Sequence, residues 1–261
     1  METGRDRGES RSVTQRALRL LAAFDTDHVA LTLSALARRA DLPVATCHRL
    51  VGELVAWGAL TKVDGRYRIG HRIWYLGLLA PVHRDLSEIA NPFMQDVLQV
   101  TKNVVNLFVL DGDQALLLER ISSTQVGPAV LRVGDHVGPH ATAGGKVLLA
   151  HARPDVVDRA LRAPHRYTRN TLVGAESLRR ELVLVRRHGY ATTVEEVAPG
   201  TSGLAIPVAG HDGTVFAALG VVIVGNRVNP RPLVPVLQIA ARGIARQVRL
   251  AAGYGHESLA E

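Results

Sequence analysis

Cysteine is almost missing from this chain of 261 residues: Cys47 is its single thiol. No disulfide can close within the chain, and a reducing, cytoplasmic setting is expected. Aromatic residues are scarce at 4%, so Val, Leu and Ala must fill the interior. The longest apolar runs, such as Val104–Leu110, fall far short of the ~20 residues needed to span a bilayer, so no membrane contact is expected. The polar start METGRDRGESRS lacks the apolar stretch of a signal peptide and is expected to be disordered.

Clustered catalytic or metal-binding patterns are missing too. His136 and His140 are four apart, but Gly138 and Pro139 lie between them and oppose a helix that would present both to a metal. Glu195 and Glu196 are adjacent, and neighbours in a strand face opposite ways. Lys146 follows two glycines, yet the first glycine of a phosphate-binding loop is not at its required spacing. These absences argue against an enzyme, a metal or a cofactor.

What is present is positive charge, unevenly placed. The formal net charge is +7, and the length is enough for two domains. Residues 1–73 hold 12 Lys and Arg against 8 Asp and Glu, a net of +4 and more than half of the excess. A nucleic-acid contact concentrates basic residues in this way.

The basic region carries a specific pattern in LSALARRADLPVATCHRLVGELVAWGALTKVDGRYR, residues 33–68. A first short helix sets Leu36, Ala37 and Ala40 on one face, with Thr32 or Ser34 able to cap it. Asp41 and Leu42 make the turn, Asp being one of the few residues other than Gly that tolerate positive φ. Pro43 suits the first turn of the second helix. That helix turns Cys47, Leu50, Val51 and Leu54 inward. Val44, Ala45, Thr46, His48 and Arg49 remain on the opposite side, the positions of a recognition helix in the DNA major groove. Thr46 is suited to a phosphate or a thymine methyl, His48 to a base or phosphate, and Arg49 to a phosphate or guanine. Leu60–Val63 and Arg66–Ile69 then read as a hairpin around Asp64-Gly65, a strong two-residue turn signal. Lys62, Arg66 and Arg68 give it the charge of a wing lying along phosphates. The whole reads as a winged helix-turn-helix bound to double-stranded operator DNA.

Around this core, Ser12–Phe24 reads as a helix burying Val13, Ala17, Leu20, Leu21 and Phe24, with Arg16 and Arg19 outside that stripe. His71–Leu79 reads as a linking helix ended by Pro81. A second domain opens with a helix over Arg84–Thr101. Strands are expected at Val104–Leu110, Ala115–Ile121, Val130–Val133, Ala191–Val194, Gly203–Val208 and Phe216–Val224. Helices are expected from Gly144 to His151, from Ala175 to His188 and over Val234–Ala251. This order gives a mostly antiparallel sheet flanked by helices, an α+β domain.

As a set, these residues resemble the IclR family of bacterial transcription regulators, over about residues 12 to 250. The likeness is carried by SVTQRALRLLAAF with LPVATCHRLVGELVAWGAL and DGRYRIGHRIWYLG, then by PHATAGGKVLLA, ELVLVRRHGYATTVEEVAPGTSGLAIPV and DGTVFAALGV. The resemblance implies a winged helix-turn-helix over 12–72, a linker helix over 73–80 and a GAF-like effector-binding domain over 81–255. It also implies dimers, or tetramers built as dimers of dimers, and a repressor controlled by a small-molecule effector.

Carried over by position, the family's effector pocket would be lined by Ala143, Gly144, Thr193, Thr201, Gly203, Gly220 and Val222. Ala143 and Gly144 open a helix, where free N–H groups favour an anion such as a carboxylate. Gly203 stands where many relatives carry Cys, and Gly220 and Val222 where some carry Ser. The pocket is therefore expected to be roomier and less polar, suited to an aromatic acid. Lys102 replaces a small residue usual after the Thr. The rival expectation is a DNA-binding protein whose second domain serves assembly alone.

Overall fold

The computed structural model describes residues 12–25, 28–78, 84–122, 131–225 and 227–257. The expectations for residues 1–11, for Leu79 and Pro81 and for Val130 fall outside the described residues. The chain divides into two compact units, Met1–Pro81 and Val82–Glu261.

The first unit opens with α1 (Val13–Leu21), whose start is closed by a reciprocal pair: Gln15 N–H donates to the Ser12 side chain and Ser12 N–H to the Gln15 side chain. The helix ends three residues before Phe24. Val13, expected inside, is 53% exposed, because the buried face begins only at Leu20, after half-buried Ala17. Next come α2 (Leu33–Ala40) and α3 (Val44–Trp57). Thr32 caps α2, and Asp41 takes the left-handed turn at φ 52°. Pro43 sits just outside α3, as its N-cap rather than in its first turn.

β1 (Leu60–Val63) and β2 (Arg66–Ile69) form the expected hairpin, with Asp64 and Gly65 both at positive φ. Leu31 adds a third, one-residue rung by exchanging two backbone hydrogen bonds with Tyr67. Leu20, Leu36, Cys47, Leu50 and Leu60 share one small core. α4 (His71–Leu78) closes the unit and exposes Trp74, Tyr75 and Leu76.

The second unit begins with α5 (Arg84–Thr101), followed by β3 (Val104–Asp111), β4 (Gln114–Ile121) and β5 (His136–Val137). Lys102 ends α5 in a left-handed conformation at φ 57°, a position that usually favours Gly or Asn. The strand expected over Val130–Val133 is absent across 131–133. There the Asp135 carboxylate accepts from Arg132 N–H and closes a turn, and the short β5 pairs with β4 instead. Then follow α6 (Ala143–His151), α7 (Pro154–Ala160), for which no element was expected, α8 (Ala175–His188), β6 (Ala191–Val194), β7 (Thr201–Ala209), β8 (Val215–Val224) and α9 (Pro230–Glu257).

The six strands of this unit run β5-β4-β3-β8-β7-β6, every pair antiparallel. Alternate residues feed two cores. Val105, Leu107, Leu204, Ile206 and Leu219 pack on α5 and α9. Phe108, Leu117, Ala205 and Ala218 pack on α6, with α7 and α8 beyond. Two glycines of α6 permit close approach: a Cβ on Gly144 would stand 2.5 Å from the Phe108 ring of the sheet, and one on Gly145 would stand 2.3 Å from the carbonyl oxygen of Pro139, in the segment that leads into α6.

Candidate DNA-reading surface and ligand cavity

α3 places Val44, Ala45, His48 and Arg49 at the surface and Thr46 half inside, while Cys47, Leu50 and Val51 are buried. Arg49 is held by Glu53 one turn on, at 2.5 Å, with both side chains exposed. Such pairs are weak in water, ~0–1 kcal/mol, so Arg49 can exchange Glu53 for another anion cheaply. Lys62, Arg66 and Arg68 are all exposed, but they do not share a face. Lys62 lies opposite Tyr67, its Nζ 5.4 Å from the ring centroid, whereas Arg66 and Arg68 lie opposite Val63 and Thr61 on the other side of the ribbon. Of the two arginines expected outside the α1 stripe, Arg19 pairs with Asp41 at 3.6 Å.

In the second unit, all seven residues carried over by resemblance line a single cavity of about 360 Å³. The sheet builds its floor in two rows. Arg120, Asn106, Gly220 and Ala205 are register partners across four strands, and Val104, Val222, Gly203 and Thr193 form the next row. Gly203 opens the space between Thr193 and Ala143: an added Cβ would meet Thr193 Oγ1 at 2.8 Å and Ala143 Cβ at 3.4 Å. Gly220 has a different reason to be glycine, since a Cβ there would press on the Leu204 carbonyl oxygen at 2.7 Å.

The roof is the first turn of α6. Thr142 caps it, accepting from Gly145 N–H at 2.9 Å, which leaves the opening N–H groups of Ala143 and Gly144 at the cavity. Helix dipole and free donors together make this an anion-favouring end.

Among the wall residues that escaped the sequence reading are Asn106, Arg120 and Glu196. Asn106 had a visible signal, being one polar residue inside the apolar strand VVNLFVL. Burial pushes the Arg120 guanidinium down from its ordinary pKa. Glu196 accepts from Lys146 at 2.6 Å, and Lys146 is only 2% exposed, with Glu181 3.7 Å away. Burial pushes the Glu196 carboxyl up, partly opposed by Lys146.

Lys146 thus serves an internal ion pair. Glu195 and Glu196 diverge, but not as strand neighbours: both lie beyond the end of β6. Glu195 turns left-handed at φ 53° and takes hydrogen bonds from Asn170 and from Gly200 N–H. His136 pairs with Asp111 at 2.7 Å, while buried His140 meets the His165 carbonyl oxygen. Among the described residues no cluster of three or more metal-ligating side chains occurs, and no helix is long and apolar enough to cross a membrane.

A winged helix-turn-helix followed by a sheet-and-helix unit with a ligand-sized cavity is the architecture of a class of transcription regulator. Residues 80–249 match the family described as bacterial transcriptional regulator IclR C-terminal, and residues 13–64 match the IclR helix-turn-helix domain. The chain belongs to the IclR family and is a DNA-binding transcriptional regulator, not an enzyme.

It is 33% identical over 200 residues to the HTH-type transcriptional regulator BhcR of Paracoccus denitrificans, covering 73% of this chain and 70% of the relative. It is 29% identical over 220 residues to the transcriptional repressor IclR of Escherichia coli, covering 82% and 80%. Among solved structures, an IclR homologue of Microbacterium hydrocarbonoxydans, complexed with 4-hydroxybenzoate, superposes with a TM-score of 0.85 at 35% identity, covering 92% of this chain and 100% of that one.

Proposed function

We propose that this regulator is a repressor whose grip on operator DNA is set by an organic acid, most simply an aromatic carboxylate, held in the cavity under α6. The observation that carries this reading is the convergence of Ala143, Gly144, Thr193, Thr201, Gly203, Gly220 and Val222 on one cavity. Its walls are mainly apolar and its α6 end favours an anion. The complex of the Microbacterium homologue with 4-hydroxybenzoate and the repressor role of the E. coli relative support the same reading.

Residues 12–72 are the reader, 73–80 the linker helix and 81–255 the effector domain. Val44, Ala45, Thr46, His48 and Arg49 face the major groove, and the hairpin beside it meets phosphates with Arg66 and Arg68 on one face and Lys62 on the other. The exposed Trp74, Tyr75 and Leu76 of α4 support a homodimer, and dimers can pair into tetramers. The effector acts by binding the DNA-competent and DNA-released arrangements of that dimer with different affinity.

Footprinting on the promoter beside the protein's own gene, with and without a panel of benzoates and short keto acids, tests the reading. Protection that some acid lifts supports it. Protection insensitive to every acid, with no thermal shift by any of them, favours a second domain that serves assembly alone.

A further inference from the structure

Asn106 lies in the floor of the cavity with no account in the fold. On β3 its neighbours Val105 and Leu107 pack against α5 and α9, while Val104, Asn106 and Phe108 line the opposite, cavity side. Asn106 is 5% exposed, and its Oδ1 has no hydrogen-bond partner. A buried acceptor left unpaired costs stability, and an apolar residue of similar size would pack here without that cost. The adjoining residues in its row do not relieve it. Arg120 on the β4 side donates to Ser122, and Gly220 on the β8 side has no side chain.

At the cavity's other wall, the Ala143 and Gly144 N–H groups favour an anion. One cavity therefore holds an anion end and an unpaired amide oxygen. Its volume of about 360 Å³ is at the small end of ligand sites, matched to a single-ring acid.

We propose that Asn106 is the specificity residue of this site, and that the effector is a carboxylic acid bearing a second, hydrogen-bonding substituent, a ring hydroxyl in its simplest form, that pairs with the Asn106 amide. The inference rests on the carboxylate reading above and adds the chemical demand that bare acids fail to meet. A hydroxyl both donates and accepts, so it pairs with the amide in either orientation of that group.

The test is calorimetric titration of the full-length protein with benzoate, 4-fluorobenzoate, 3-hydroxybenzoate and 4-hydroxybenzoate. One hydroxylated acid is expected to bind about tenfold more tightly than benzoate and 4-fluorobenzoate. Asn106→Leu is expected to erase that preference, leaving hydroxylated and bare acids bound alike. Equal binding of hydroxylated and bare acids by the unaltered protein would overturn the role of Asn106 and leave the carboxylate reading standing. A preference that survives Asn106→Leu would do the same. Binding of none of these acids would remove the aromatic-acid reading itself, and this inference with it. The unaltered protein alone decides the first comparison, so the result does not depend on how well the variant folds.

Discussion

The two units of this chain treat polar side chains in opposite ways. In the DNA-reading unit the residues proposed to meet DNA are at the surface, save half-buried Thr46, and its core around Leu20, Leu36, Cys47 and Leu50 holds no buried charge among the described residues. The second unit contains every buried polar or charged side chain that the described residues show, among them Asn106, His140, Lys146, Thr193 and Glu196. A surface that grips a polymer needs exposed charge on a rigid apolar base. A cavity that selects a small molecule needs polar groups inside, where each must find a protein partner or a ligand.

If that contrast is right, the second unit is far more sensitive to removing one interior polar group. Lys146→Ala strands Glu196 without its cation and is expected to cost about 3–5 kcal/mol in denaturant unfolding. Replacing both partners, Lys146→Met with Glu196→Leu, is expected to recover most of the loss, because no lone buried charge remains. A single-variant cost below about 1 kcal/mol would show that the interior pair behaves like a surface one and would dissolve the contrast.

Filling the cavity comes next in size. Gly203→Leu projects a side chain between Thr193 and Ala143 and is expected to reduce any effector-induced change in operator affinity to less than about twofold. DNA binding without effector should persist, as gel-shift titration would show. An intact response would place the effector elsewhere.

On the reader, Arg49→Ala is expected to weaken operator binding by about tenfold, the scale of one base or phosphate contact. Its melting temperature should hardly move, since only the exposed pair with Glu53 is lost. Unchanged binding at moderate salt would remove Arg49 from the contact surface.

The smallest expected effect is a pH slope. Burial, the largest influence on His140, pushes its pKa below the ordinary imidazole value. Its folded form therefore refuses a proton that the unfolded chain accepts. The resulting stability is complete above the ordinary histidine pKa of about 6.5 and is lost as the pH falls from there towards the folded value. Melting temperatures of the full chain should fall across that window, and less steeply in His140→Gln. Equal slopes in both proteins would assign the acid sensitivity to other groups.

Much of the reader was legible because its signals are local. Asp64-Gly65 specifies its own hairpin, and Asp41 its own turn, through φ values that few residues accept. The bounds of α8 and β6 follow equally from local pattern, closed by the left-handed Gly189 after α8. Two short stretches of the second unit were misread. PDVVDRA, which forms α7, was passed over although Val156, Val157 and Ala160 recur at helical spacing, and a strand was expected where Asp135 instead closes a turn. The floor of the cavity needed information of another kind. Arg120 meets Asn106, and Gly203 meets Val222, only through strand register, which depends on pairings far apart in sequence. The seven cavity residues came from family resemblance, and Asn106 was passed over although a lone polar residue in an apolar strand marks a group awaiting a partner.

The solitary thiol has a practical consequence. Cys47 is fully buried in α3, and burial pushes its pKa up, so it is a poor target for maleimides and methanethiosulfonates. A cysteine introduced at exposed Arg66 would thus be the chain's sole readily labelled position. Spin labels there would report the spacing of two wings in the proposed dimer directly, with and without the proposed acid, in the natural background and with no native thiol to remove first.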